Sequence, residues 1–213
     1  MYKLRQANIN DLEGLYELSL LLNFINLPPD KKRLQKQLES AEKSFLNPHN
    51  PKEESFYIFV LENPSNGDVI GSSMIHGKHG TEKEPHFYLS VDKEQKYSQT
   101  LNTGFIHGTL KFGYQTDGLS EIGGLVVNPE MRAHPDKLGK QLSYIRFLYM
   151  GMFTERFTET IHCELMPPFD AYGNSPLWEA IGRRFLNMNY QEADKLSREN
   201  KEFILSLYPI NTI

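Results

Sequence analysis

The segment Asn128-Pro129-Glu130-Met131-Arg132-Ala133-His134-Pro135-Asp136-Lys137-Leu138-Gly139-Lys140-Gln141-Leu142-Ser143 concentrates Arg132, His134, Lys137 and Lys140 between an apolar run and an amphipathic one. If the amphipathic run is a helix, its first N–H groups lack intrahelical acceptors and its dipole turns a positive end towards the loop. Gly139 lets an anion approach that backbone closely, so a pyrophosphate fits the junction. Spacing alone favours a plainer arrangement, a βα loop whose charges are solvated.

Glu121 and Glu164 fall on two strand-like runs, Ser120 to Val127 and Thr160 to Leu165. Two carboxylates flanking a cleft could grip a cationic substrate or relay a proton. The alternative for each is a strand end capped in solvent. In His162-Cys163-Glu164 a thiol stands beside a histidine, but strand neighbours point to opposite faces, which makes Cys163 an inert strand residue. His76, His79 and His86 have no helical H-E-x-x-H spacing and no cysteine partner. They read as ordinary surface histidines, and no metal is expected. Asp170, Tyr172, Gly173, Asn174 and Ser175 form a polar loop placed to meet an acceptor, although Ser175 before Pro176 reads more simply as a helix cap. Tyr149, Trp178 and Tyr190 are expected to pack in a core.

These groups need a frame. Tyr2 to Gln6 is strand-like, and Leu12, Leu15, Leu18 and Leu22 follow at helical spacing after Asn10 and Asp11 as cap candidates. A second helix carries Leu34, Leu38, Ala41 and Phe45 on one face, and the Pro/Asn-rich stretch Asn47 to Pro51 ends it. Ser55 to Glu62 and Val69 to His76 flank the turn-forming Asn63-Pro64-Ser65-Asn66-Gly67-Asp68, an antiparallel hairpin. Between Gly77 and Gln99 only Phe87 to Val91 looks like a strand. The run from Ser120, a helix near Gly139 to Phe157 and the strand at Thr160 make a βαβ unit. Its strands should be parallel, with a crevice at their carboxyl ends. Pro176 to Phe185 and Gln191 towards Asn200 read as further helices.

The length of 213 residues suits one compact α/β domain spanning 1–213. With 39% hydrophobic and 23% charged residues the composition is that of an ordinary soluble chain. A net charge of −4 without any long Lys/Arg block argues against nucleic acid or an anionic membrane as partner. The opening Met1-Tyr2-Lys3-Leu4-Arg5-Gln6 lacks a signal-like apolar region, and a lone cysteine, Cys163, suits a reducing compartment, so the cytoplasm is the expected location.

Beyond the loop, other segments carry a family likeness: Asn26-Leu27-Pro28-Pro29-Asp30, Tyr57-Ile58-Phe59-Val60-Leu61-Glu62, Ser120-Glu121 and Leu142-Ser143-Tyr144-Ile145-Arg146-Phe147-Leu148-Tyr149-Met150. Gly173-Asn174-Ser175-Pro176-Leu177-Trp178, Gly182-Arg183-Arg184-Phe185, Ala193-Asp194 and Lys201-Glu202-Phe203-Ile204 continue it. Together they resemble the arginine N-succinyltransferase family, within the GNAT superfamily of acyl-CoA N-acyltransferases. The resemblance implies a mixed central sheet flanked by helices, an α+β fold. It also implies transfer of a succinyl group from succinyl-CoA, a co-substrate and not a resident cofactor, to the α-amino group of arginine. The pantetheine arm would lie along Leu125, Val126 and Val127, with Leu125 at the family's acyl-CoA contact position. The pyrophosphate would rest on the amides from Lys137 through Leu138, Gly139 and Lys140 to Gln141, near Arg132. Glu121 and Glu164 become the candidates for base or arginine binding.

Two departures stand out. The superfamily loop has the form R-x-x-G-x-G/A, whereas here Arg132 precedes a longer loop with one glycine. Members of the family continue past the Phe203 to Pro209 region and carry their proton-donor histidine there. The chain is therefore expected to be a fragment of a longer enzyme or a shortened relative whose catalysis is altered or lost. The alternatives are a non-catalytic acyl-CoA-binding or partner subunit and an N-acyltransferase with another amine acceptor, and a complementary subunit or homo-oligomer is among its expected partners.

Overall fold

A computed structural model describes residues 2–21, 27, 29–47, 52–165, 167–197 and 199–208. Leu22, Asn26, Pro28, residues 48–51 and Pro209, all used above, lie outside the described residues. Contacts divide the chain into two compact units, Met1–His79 with Asp117–Glu164, and Gly80–Thr116 with Leu165–Ile213.

The first unit is a five-stranded sheet in the order β1 (Lys3–Gln6), β2 (Phe56–Glu62), β3 (Val69–His76), β6 (Ser120–Val127), β7 (Ile161–His162). β1, β2, β3 and β6 pair antiparallel, while β6 and β7 run parallel. The sheet is thus mixed, and the parallel pair closes the βαβ unit expected from the sequence. Helices α1 (Leu12–Leu20) and α2 (Lys31–Leu46) cover one face and α3 (Leu138–Met152) the other.

β2 shows why its sequence has no polar alternation. Phe56, Ile58 and Val60 pack towards α1 and α2, and Tyr57, Phe59 and Leu61 towards α3, so both faces are buried. α2 begins where the Asp30 carboxylate accepts from the amides of Lys32 and Arg33, and it buries Leu34, Leu38 and Ala41 completely. Asp11 stands at the N-cap of α1 without a side-chain cap bond of its own, and the turn that leads into it, Ile9–Asp11, is capped by Asn8. The Asn8 side chain accepts from the Asn10 amide, and the Asp11 carboxylate accepts from the Asn8 amide.

β6 carries an irregularity that matters below. Two registered pairs, Met74↔Gly123 and Ser72↔Val126, leave three steps on β6 opposite two on β3. The extra residue is a β-bulge, and Gly124 takes φ +55° there. A side chain at Gly124 would place its Cβ 2.6 Å from Cγ and Sδ of Met74. The bulge also reverses the facing of the strand. Ile122 packs with Tyr149 and Met150 of α3, yet Val126, four residues on, packs on the α1/α2 side.

The second unit holds a hairpin of β4 (His86–Ser98) and β5 (Thr103–Gln115), joined residue for residue from His86↔Gln115 to Ser98↔Thr103. This corrects the expectation of a short strand at Phe87 to Val91 among loops. It also holds a π-helical stretch at Trp178–Gly182 that runs on as α4 (Arg183–Leu186), then α5 (Tyr190–Ser197) and α6 (Glu202–Leu207). Ser175 caps the stretch as expected, its Oγ accepting from the Trp178 amide at 3.3 Å. Among the described residues no helix is long and apolar enough to cross a membrane.

Candidate active site

The loop after β6 and the start of α3 enclose a cleft of about 540 Å³. Leu125, Val126, Val127, Arg132, Lys137, Leu138, Gly139 and Lys140 line it, so most of the residues picked out in the sequence meet around one opening. Gln141 is the exception. Its Nε2 donates to the carbonyl of Asp136 at 2.7 Å, and the side chain braces the loop.

The local backbone explains the cleft. Ala133 and Lys137 both adopt left-handed φ values, 60° and 52°, so this loop takes glycine-like conformations at two non-glycine positions. No side chain caps α3 at Lys137. The amide of Lys137 donates to His134, and those of Lys140 and Gln141 donate to the Lys137 carbonyl. The amides that remain are those of Leu138 and Gly139, which helix geometry leaves without an internal acceptor. The five amides proposed from the sequence narrow to two, beside the exposed cations of Arg132, Lys137 and Lys140. His134 lines the cleft too, with its ring engaged: its Nδ1 accepts from the Asp136 amide, and its Nε2 lies 3.4 Å from the Tyr2 hydroxyl.

At the other end of β6 lies a second cluster. β6 and β7 share only two rungs, Ser120↔Ile161 and Glu121↔His162, and then part. The strand read from Thr160 to Leu165 therefore stops at His162, and Glu164 lies beyond it. The rung His76↔Glu121↔His162 crosses three strands and points its side chains to one face. Glu121 is 6% exposed, and its Oε2 lies 2.6 Å from Nδ1 of His79. Glu164 approaches from outside, 3.8 Å from Nε2 of His79 and 3.5 Å from Nε2 of His162. The rings of His79 and His162 stack at 5.8 Å.

Burial opposes ionisation of Glu121, but the hydrogen bond from His79 and the fields of His79, His76 and His162 outweigh it, and its pKa lies below the ordinary value. Glu121 is thus a buried carboxylate gripping an imidazole, not a strand end in solvent. Neither His76 nor His79 is the surface histidine that spacing suggested. Their role could have been found only from the register that sets His76 opposite Glu121. Asp170, by contrast, spends its carboxylate on its own loop, accepting from Tyr172 and Asn174.

From Glu121 to Val127 the strand covers about 20 Å. Past the Glu121 rung its β7-facing edge has no strand partner among the described residues. Exposed Leu125 and the bulge at Gly124 lie on this open stretch. Loop cleft, open strand edge and acid–histidine cluster follow one another along β6.

Residues 2–213 match the family described as arginine N-succinyltransferase beta subunit. The chain is 32% identical over 216 residues to an arginine N-succinyltransferase of Enterobacter sp. (strain 638), an alignment covering 100% of this chain and 62% of that protein. It is 34% identical over 208 residues to arginine N-succinyltransferase subunit beta of Pseudomonas aeruginosa, covering 96% and 60%. The solved arginine/ornithine succinyltransferase subunit AI of Pseudomonas aeruginosa superposes with a TM-score of 0.82 at 28% identity, covering 92% of this chain and 59% of that one. The chain spans about three fifths of the length of these relatives.

Proposed function

The chain belongs to the arginine N-succinyltransferase beta subunit family, and from that premise we propose that it binds an acyl-CoA, specifically succinyl-CoA, and transfers the acyl group to the α-amino group of arginine. The single observation that carries this beyond family membership is the sequence of features along β6. The cleft at Leu138 and Gly139 suits the diphosphate, the open edge from Val127 back to Gly123 suits the pantetheine arm, and a buried carboxylate–imidazole pair stands where the strands begin to part.

In the proposed reaction the amine nitrogen attacks the thioester carbonyl and forms the C–N bond, the C–S bond breaks, and coenzyme A leaves as its thiol with the proton that the nitrogen sheds. No covalent enzyme intermediate is needed. Amides on the open edge of β6 near the Gly124 bulge would hold the oxygen as charge develops on it. Glu121, ionised and accepting from Nδ1 of His79, would orient that imidazole as the group that takes the proton of the incoming ammonium. Glu164, half exposed and near both histidines, would meet the cationic acceptor. The names of the relatives, which include both arginine and ornithine, support a basic amino acid as acceptor, and the word subunit supports association with a complementary chain or a further copy.

Incubating the protein with arginine and succinyl-CoA while following free thiol tests the proposal. Thiol release that depends on both substrates is expected; release no faster than the blank counts against it. Competition among arginine, ornithine and lysine then identifies the acceptor.

A further inference from the structure

Arg146, in the third turn of α3, is 4% exposed. Its bonds go to neutral acceptors only: Nε to the Ser143 carbonyl at 3.2 Å, Nη2 to Ser143 Oγ at 2.8 Å and Nη1 to the Gly123 carbonyl at 3.2 Å. Among the described residues no carboxylate pairs with it. Of the five N–H groups of a guanidinium, three donate here and two find no acceptor among the described residues. Arginine does not shed its proton, so a charge is held out of water without a counter-ion, an expensive arrangement. Burial draws its pKa below the ordinary arginine value, and Cys163 is the titratable group that acts against this.

Position makes the cost intelligible. Gly123, which Arg146 grips, is two residues past the last β6–β7 rung, and Cys163 is one past the end of β7. The guanidinium therefore lies by the split between the strands, next to the bulge on which the acyl group would rest. Glu121 on the last rung and Glu164 beyond β7 are engaged with histidines.

Resting on the acyltransferase reading above, we infer that Arg146 is the anion-binding residue of the acyl pocket and selects acyl groups that end in a carboxylate. A dicarboxylic monothioester such as succinyl-CoA supplies the missing counter-ion, and its planar carboxylate suits the free fork of N–H groups. A neutral acyl chain of equal length leaves the buried charge unpaired, which is how a desolvated site discriminates.

Calorimetric titration of the 213-residue chain with CoA, butyryl-CoA and succinyl-CoA tests this. The unmodified protein is expected to bind succinyl-CoA about tenfold or more tightly than butyryl-CoA, the range of a hydrogen bond to a charged group. Arg146→Met should abolish that preference while CoA and butyryl-CoA bind as before, and Arg146→Lys should keep part of it. Equal affinity of the unmodified protein for the two thioesters overturns the inference without recourse to any variant, and so does an Arg146→Met that weakens all three ligands alike. Absence of CoA binding removes the cleft reading and this inference together. Binding of CoA without a succinyl preference removes the role of Arg146 alone.

Discussion

Nδ1 of His79 lies 2.6 Å from the Glu121 carboxylate, joining the segment just past β3 to the first rung of β6. The pair sits at the point where β6 and β7 separate, and a second carboxylate, Glu164, stands 3.8 Å from the far nitrogen of the same ring. An imidazole held at one nitrogen and open to a second acid at the other is a proton relay in form.

Glu121→Gln should lower kcat for succinyl transfer by about 10²- to 10⁴-fold, the usual worth of a positioned acid–base group. The affinity for CoA should not move, because Val127, where β6 runs out at the cleft, is six residues along the strand from Glu121. Steady-state kinetics beside CoA titration reads this. A variant that raises only KM would rule the relay out.

The same carboxyl ties stability to pH. Its folded-state pKa is depressed, so the stabilisation is complete above the unfolded value of about 4.3 and is lost as acid carries the pH down through the folded value. Denaturant unfolding of wild type and Glu121→Gln between about pH 3 and about pH 6 should show the steeper acid decline in wild type. Parallel curves would mean that the bond to His79 is not kept in solution.

Gly124→Ala should cost about 1–3 kcal/mol. The residue needs a left-handed φ of +55°, and the added Cβ must displace Met74 from the α1/α2-side core. Thermal unfolding measures the loss. A neutral result would show that the strand runs without its bulge.

Gly139→Ala separates packing from binding. The new Cβ would meet only Cγ2 of Val127, at an ordinary 3.6 Å, and alanine is the better helix former by up to about 1 kcal/mol. Stability should hold or rise while CoA affinity falls about tenfold, since the methyl stands where a phosphate would approach the amide. Unchanged CoA affinity would place the diphosphate elsewhere.

Tyr149 joins Phe45, Tyr57, Phe59 and Phe157 in an aromatic cluster beneath α3, and its hydroxyl accepts from Nη1 of Arg156 at 2.8 Å. Burial pushes its pKa up to about 12. A raised folded pKa means stability is full below the unfolded value of about 10 and drains away as the pH climbs through 12. Tyr149→Phe should therefore blunt the alkaline unfolding of the chain, followed by denaturant titration from about pH 9 upwards, and cost about 1 kcal/mol near neutrality for the lost bond.

Much of the frame is legible in the residues alone. Leu34, Leu38 and Ala41 announce the buried face of α2 by spacing, the Asn63–Asp68 turn announces the β2–β3 hairpin, and the order of runs from Ser120 announces a parallel pair. Each works because the signal is local, a period or a turn that needs no knowledge of a distant partner. The long β4–β5 hairpin gave no such signal: most of its residues face solvent on both sides, so no alternation of apolar and polar positions marks it.

By itself the sequence determined the loop that forms the cleft, since Arg132, Lys137, Gly139 and Lys140 are close in the chain and a helix start brings them together. Only the tertiary structure decided the rest. Strand register, not spacing, set His76 opposite Glu121 and brought His79 onto it, and the packing of α3 on β6 left Arg146 buried beside Gly123 without a counter-ion among the described residues. Pairing between strands far apart in sequence is settled by the packing of both sheet faces at once, and no single segment carries that information.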